Sequence, residues 1–231
     1  MSNRPLPLHE ELMLLALKDR EGTVLSGTLY AYAIGGAVLA ELLMADRVRL
    51  ETRKKKQRVV IQDAREVGDP LLDEWLQAMA EREKPRTAQE WVQRIAQTRH
   101  LKHRVASELS RKGILRTKED KILGIFSRTV YPELDPGPER EIDGRIEGAI
   151  LRETEAVDPR TAVLIALAHK SGLLKGVLDK ARLKKHKDRI EKISEGQVTA
   201  EATEGAIEAM QAAMTAAALI PIMVSTTVTT G

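Results

Sequence analysis

The chain has 231 residues, of which 42% are apolar, 3% aromatic and none cysteine, with a formal net charge of +3. Disulfides and thiolate metal sites are thereby excluded, and a reducing cytosol is the natural compartment. The length supports one sizeable domain with a substantial core, which Leu, Ile, Val, Ala and Met must fill, a composition that favours helix over strand.

The stretch Leu6 to Gly22 reads LPLHEELMLLALKDREG. Its apolar run, Leu12 to Leu17, follows Glu10 and Glu11 and meets Lys18-Asp19-Arg20-Glu21-Gly22. That order predicts a buried helix with acids in its first turn, cations in its last and a glycine just beyond. Adjacent helical residues point in different directions, so the two glutamates read as capping and dipole partners rather than a catalytic pair. Leu29 to Ala45 predicts a second apolar helix, whose Gly35-Gly36 pair implies close backbone packing. Two short strands follow, Arg47 to Glu51 and Arg58 to Ile61, joined by a basic turn.

Asp69-Pro70 opens a helix with the stripe Leu71, Leu72, Trp75, Leu76 and Met79. Thr87 and Glu90 form a capping box ahead of Trp91, Val92 and Ile95. Leu101, Val105 and Leu109 line the next helix, from about Thr98 to Lys112, which stops before Gly113. Ile114-Leu115, Lys121 to Phe126 and Arg128 to Tyr131 read as short strands, the last two a hairpin. Pro132, Pro136, Gly137 and Pro138 read as a linker, then Ile142 to Glu155 and Asp158 to Ala168 as helices, the latter ended by Gly172. Gly205 to Val224 approaches the length of a bilayer span, but Glu208, Gln211, Pro221 and its alanines mark a buried core helix. The expected fold is mainly α: a single-domain helical bundle ringed by amphipathic helices with short β-hairpins. Residues 1–5 are expected to be a tail, 6–224 the domain and 225–231 a second tail.

Cations cluster at Lys54-Lys55-Lys56 with Arg58, at Arg99, His100, Lys102, His103 and Arg104, and from Lys180 to Lys192, a segment that reads as an exposed helix with the thin apolar stripe Leu183 and Ile190. Such patches suit an anionic partner, lipid or nucleic acid, although each alone also fits solvated surface. No glycine-rich phosphate loop, nucleophile elbow or His-Glu-x-x-His run occurs. His100 and His103 have no acidic or thiol neighbour close in sequence that would complete a metal site. No catalytic residue, metal or cofactor is therefore assigned, and the chain is read as non-enzymatic. Arg99 and Lys102, three residues apart and away from the apolar stripe, are the candidate phosphate ligands. His103, Lys184 and Lys185 are candidate auxiliary membrane contacts. The order Trp91–Gln97, Leu101–Lys112 and hairpin is also that of a winged helix, so a nucleic-acid-binding protein is the alternative.

Five ordered blocks resemble the Golgi phosphoprotein 3 family: LPLHEELMLLALKDREG from Leu6, AELLMADRVRLE from Ala40, DPLLDEWL from Asp69, ASELSRKGIL from Ala106 and LIALAHKSGLL from Leu164. The resemblance covers most of the chain. It implies a compact helical bundle with a protruding hairpin, acting as a peripheral membrane protein that recognises phosphatidylinositol 4-phosphate and retains enzymes or cargo as a trafficking adaptor. It places two basic head-group positions on Arg99 and Lys102, and an oligomerisation hairpin on Lys121, Leu123, Ile125 and Tyr131. Two further family positions depart: no tryptophan stands between Gly22 and Leu39, and a family arginine falls on Gly35. Only Arg4 precedes the core where eukaryotic members carry an arginine-bearing leader, so the chain resembles a bacterial-type member. The partners implied are anionic phospholipid at a membrane surface, a second copy of the chain and a protein client, in preference to nucleic acid. The implied location is the cytosolic face of membranes, the Golgi in a eukaryote.

Overall fold

The computed structural model describes residues 5–17, 29–53, 56–122, 126–152 and 156–227. Its first helix, α1 (Leu8–Ala16), is buried on every side. So is most of α2 (Leu29–Met44), which is buried continuously from Ala33 to Ala40 and again at Leu42 and Leu43. A helix buried all round belongs at the centre of a domain, and α2 is apolar on every face as that position requires. Around α2 pack α4 (Ala88–Ala96), α7 (Pro159–Lys170) and α10 (Glu204–Thr227). The seam between α2 and α10 is made of small residues. Ala209, Ala212, Ala213 and Ala216 of α10 are fully buried, and a β-carbon on Gly36 would lie 2.6 Å from the Cβ of Ala216. Close approach of two backbones is what glycine and alanine permit. The last helix is therefore core, and no helix among the described residues is long and apolar enough to cross a membrane.

The outer helices bury one face each. In α3 (Pro70–Ala80) the Asp69 carboxylate accepts from the backbone N–H of Leu71 and Leu72, both at 3.0 Å, and proline occupies the first turn. Of its expected stripe, Trp75 is only partly buried and meets Trp91 edge-on, ring centroids 6.1 Å apart. The capping box of α4 forms as expected: Glu90 N–H donates to Thr87 Oγ1 at 3.2 Å, and Thr87 N–H donates to Glu90 at 2.8 Å. In α5 (Leu101–Arg111), Leu101, Val105, Ala106 and Leu109 face inward.

Two antiparallel hairpins complete the fold. Strands β1 (Val48–Arg53) and β2 (Lys56–Ile61) pair from Val48–Ile61 to Arg53–Lys56. Strands β3 (Lys118–Ile122) and β4 (Phe126–Val130) pair from Lys118–Val130 to Ile122–Phe126. This hairpin starts earlier than the apolar pattern suggests and flanks residues 123–125, so Phe126 opens the second strand. The cross-strand pair Asp120–Arg128, with Arg128 Nε donating at 2.9 Å, extends the ladder through charged residues. Ile114 and Leu115 form no strand. They are buried, and Leu115 makes a single bridge to Glu133.

Two further boundaries move. Helix α6 (Gly137–Leu151) begins inside the proline-rich stretch read as a linker, because proline is well suited to a first helical turn. The basic segment after Asp179 is not one helix but two, α8 (Lys180–Lys185) and α9 (Lys187–Ser194), broken at the buried His186. Helix α8 buries none of its residues, whereas α9 anchors through Ile190 and Ile193.

Candidate anion-binding site

The polar residues of α1 are not caps. His9, Glu10 and Glu11 are all essentially inaccessible, and α1 has no side-chain cap at all. Each instead reaches a different helix. The two oxygens of Glu10 accept from Lys112 Nζ at 2.7 and 2.6 Å, and Glu11 pairs with Arg145 of α6 at 2.8 Å. His9 Nε2 lies 3.6 Å from Asp69, too far for a hydrogen bond. Glu41 of α2 accepts from the backbone N–H of Leu8 at 2.6 Å and from Arg160 at 2.7 Å. Burial pushes the Glu10 carboxyl up to about 7 despite Lys112, raises Glu11 against the pull of Arg145, and lowers His9. These side chains lock α1 to its neighbours. The sequence signal was a polar triplet, His9-Glu10-Glu11, set directly against an apolar run.

The second basic cluster sits where α5 begins. His100 adopts a left-handed backbone, φ 57°, which turns the chain into the helix and separates Arg99 from it. Arg99 is exposed, and its Nε donates to His100 Nε2 at 3.0 Å. Lys102 and His103 are half-buried on the first turn. The rings of His100 and His103 stand 6.1 Å apart, and His103 Nδ1 is 2.9 Å from the hydroxyl of Tyr131. Arg104 is tied to Glu74 of α3. Burial, then the charges of Lys102 and His100, hold His103 below the usual histidine range.

This arrangement runs against helix electrostatics. The first turn of α5 contains no acid and the helix lacks a side-chain cap, so its positive end is surrounded by further cations. In α3 and α4 the same position holds Asp73 and Glu90. The helix dipole and the clustered cations give this helix start a positive field, the kind that suits an anion. Arg99 and Lys102 are thus brought to the same helix start, with His103 beside them. Lys184 and Lys185 are exposed on α8, which packs on the 3-10 turn Leu173–Gly176.

Gly35 has a structural reason. A β-carbon there would lie 2.6 Å from the Val92 carbonyl oxygen of α4, so this packing admits no side chain. Of the hairpin residues, Leu123 and Ile125 lie outside the described residues and Lys121 stands in β3. Tyr131 is 3% exposed and faces His103 rather than solvent.

Comparison with known proteins completes the description. A vacuolar protein sorting-associated protein 74 from Eremothecium gossypii is 30% identical over 206 residues, which is 75% of this chain and 61% of that protein. The chain thus spans about three fifths of the relative's length. The family described as Golgi phosphoprotein 3 (GPP34) matches residues 8–210. From the buried polar helix at Leu8 to the alanine-rich helix that covers the core, this chain belongs to the Golgi phosphoprotein 3 family.

Proposed function

We propose that this protein is a peripheral membrane protein that holds the phosphomonoester of an anionic phospholipid, of the phosphatidylinositol 4-phosphate type, at the start of α5. Arg99 offers its guanidinium fork and Lys102 a point charge, and the protein performs no chemistry on the lipid. It would serve as a trafficking or enzyme-retention adaptor on a cytosolic membrane face, with His103, Lys184 and Lys185 as secondary membrane contacts. The observation that carries the reading is the cation cluster at an uncapped, acid-free helix start, in a chain of this family.

Each cation near an anionic leaflet contributes about 1 kcal/mol. Arg99→Ala/Lys102→Ala is therefore expected to weaken binding to vesicles containing phosphatidylinositol 4-phosphate by about thirtyfold. Vesicle flotation reads this directly. Undiminished recovery of the double variant removes the site, and a duplex-DNA gel shift with steep salt dependence would favour the nucleic-acid alternative instead.

A further inference from the structure

We propose that His100 and His103 join Arg99 and Lys102 in a proton-linked phosphate clamp: the anion binds together with a proton taken up by the histidine pair, so mild acidity tightens the complex. The inference rests on the site proposed above and adds the groups that regulate it.

The geometry of the cluster supplies the coupling. His100 Nε2 accepts the Nε–H of Arg99 at 3.0 Å, so in this arrangement that nitrogen carries no proton. A phosphate that takes the Arg99 fork draws this N–H away and leaves His100 Nε2 with a lone pair beside a dianion. The nitrogen then gains a proton from solvent and becomes a donor to the phosphate. No bond is made or broken apart from the N–H, and one proton is consumed for each histidine that charges. His103 is placed to act alongside. Its Nδ1 is held by the Tyr131 hydroxyl at 2.9 Å, which orients the ring and leaves Nε2 as the ligand nitrogen. Its ring centroid is 6.1 Å from that of His100.

The surroundings set the direction. On the same segment the neighbours are Arg99, Lys102 and Arg104. From α3 comes Glu74, neutralised by Arg104, and from the end of β4 comes the hydroxyl of Tyr131. Across a cavity of about 330 Å³ lies His9 of α1, with Glu108 one turn further along α5. Glu108 is engaged by Arg111. The charges acting on His103 are therefore cationic ones, which together with burial lower its affinity for a proton. A phosphomonoester bearing nearly two negative charges reverses that balance. Binding then takes up protons, and by linkage affinity rises as pH falls.

The test compares wild type with His100→Asn/His103→Gln on vesicles containing phosphatidylinositol 4-phosphate, at about pH 6 and about pH 7.5, the range in which histidine changes charge. Asparagine tolerates the left-handed backbone at position 100 and keeps an acceptor for Arg99, while glutamine suits the helix at 103. The lipid phosphate itself titrates near pH 6, so the readout is the difference between the two proteins on identical vesicles. Wild type should gain about fivefold over the variant on acidification, the lower end of ordinary coupling between two ligands. Calorimetry in buffers of different ionisation enthalpy should show proton uptake by wild type only. A competition arm with inorganic phosphate separates capture of the phosphate alone from capture that needs the membrane. Equal pH profiles for the two proteins, with binding still lost in Arg99→Ala/Lys102→Ala, overturn the clamp and leave the site standing. Binding that survives loss of Arg99 and Lys102, or wild type that ignores the vesicles at both pH values, overturns both.

Discussion

Gly35→Arg, which writes the family arginine into this chain, should destabilise the fold by about 3 kcal/mol or more and bring no gain in binding to anionic vesicles. The reason is the approach of α2 to α4. A β-carbon at position 35 meets the Val92 carbonyl oxygen at 2.6 Å and the Ala96 backbone nitrogen at 3.4 Å. Both are helical backbone atoms and cannot swing aside as a side-chain tip would. Relief requires sliding α4, which carries the buried Trp91, Val92 and Ile95. Gly35→Ala is the milder probe. It gains up to about 1 kcal/mol of helix propensity, so a net loss isolates the clash. Urea denaturation followed by far-UV circular dichroism measures both variants, and a Gly35→Arg midpoint equal to wild type would show that α4 yields freely.

Lys112→Ala should cost about 3 kcal/mol, the usual penalty for stripping one partner from a buried ion pair. Glu10 has no exposed side-chain surface, whereas Lys112 keeps 39% of its own. Removing the lysine therefore strands the carboxylate. The pH dependence follows from the direction of the Glu10 shift. Its folded-state value, about 7, lies above the ordinary 4.5, so between those values the folded protein binds more protons than the unfolded chain. The stability contribution of protonated Glu10 is present at low pH and fades as pH rises through that window. The Lys112→Ala deficit should accordingly be small near about pH 5, grow as pH rises past about 7 and be full only near about pH 9. Buried His9 pulls the other way, losing stability as pH falls below the histidine range; Lys112 is one of the charges that lower it, so removing the lysine eases that loss and further narrows the deficit at low pH. Glu10→Gln in the Lys112→Ala background should recover most of the loss and flatten the pH profile. A deficit that is the same at both pH values would count against a stranded carboxylate.

The helices were largely legible because their signals are local. Asp69-Pro70, the Thr87–Glu90 box and the Asp158-Pro159 start each specify a helix entry within four residues, and each forms where expected. The boundaries that moved depend on distant partners. β3 starts three residues early, where Asp120 finds Arg128 across the ladder. The basic helix breaks at His186, where the chain turns to seat Ile190 and Ile193. The candidate site was legible as a charge pattern, since Arg99, Lys102 and His103 share one short segment. The Tyr131 contact to His103 joins residues 28 apart, and the Glu10–Lys112 pair joins residues 102 apart. No periodicity within one helix encodes such pairings. The glutamates of α1 were misassigned for the same reason: a first-turn acid looks identical whether it caps its own helix or neutralises another.

The small-residue seam has a consequence for how the protein is made. Helix α2 lies near the beginning of the chain and its main packing partner, α10, at the very end. During synthesis the apolar flank of α2 emerges well before α10 and stays uncovered until that helix has left the ribosome. Such long-range closure slows folding and leaves sticky surface on the growing chain. Truncations that remove α10 should consequently yield insoluble product, however intact the remaining helices are, because a helix made about 160 residues after α2 is the lid of the core.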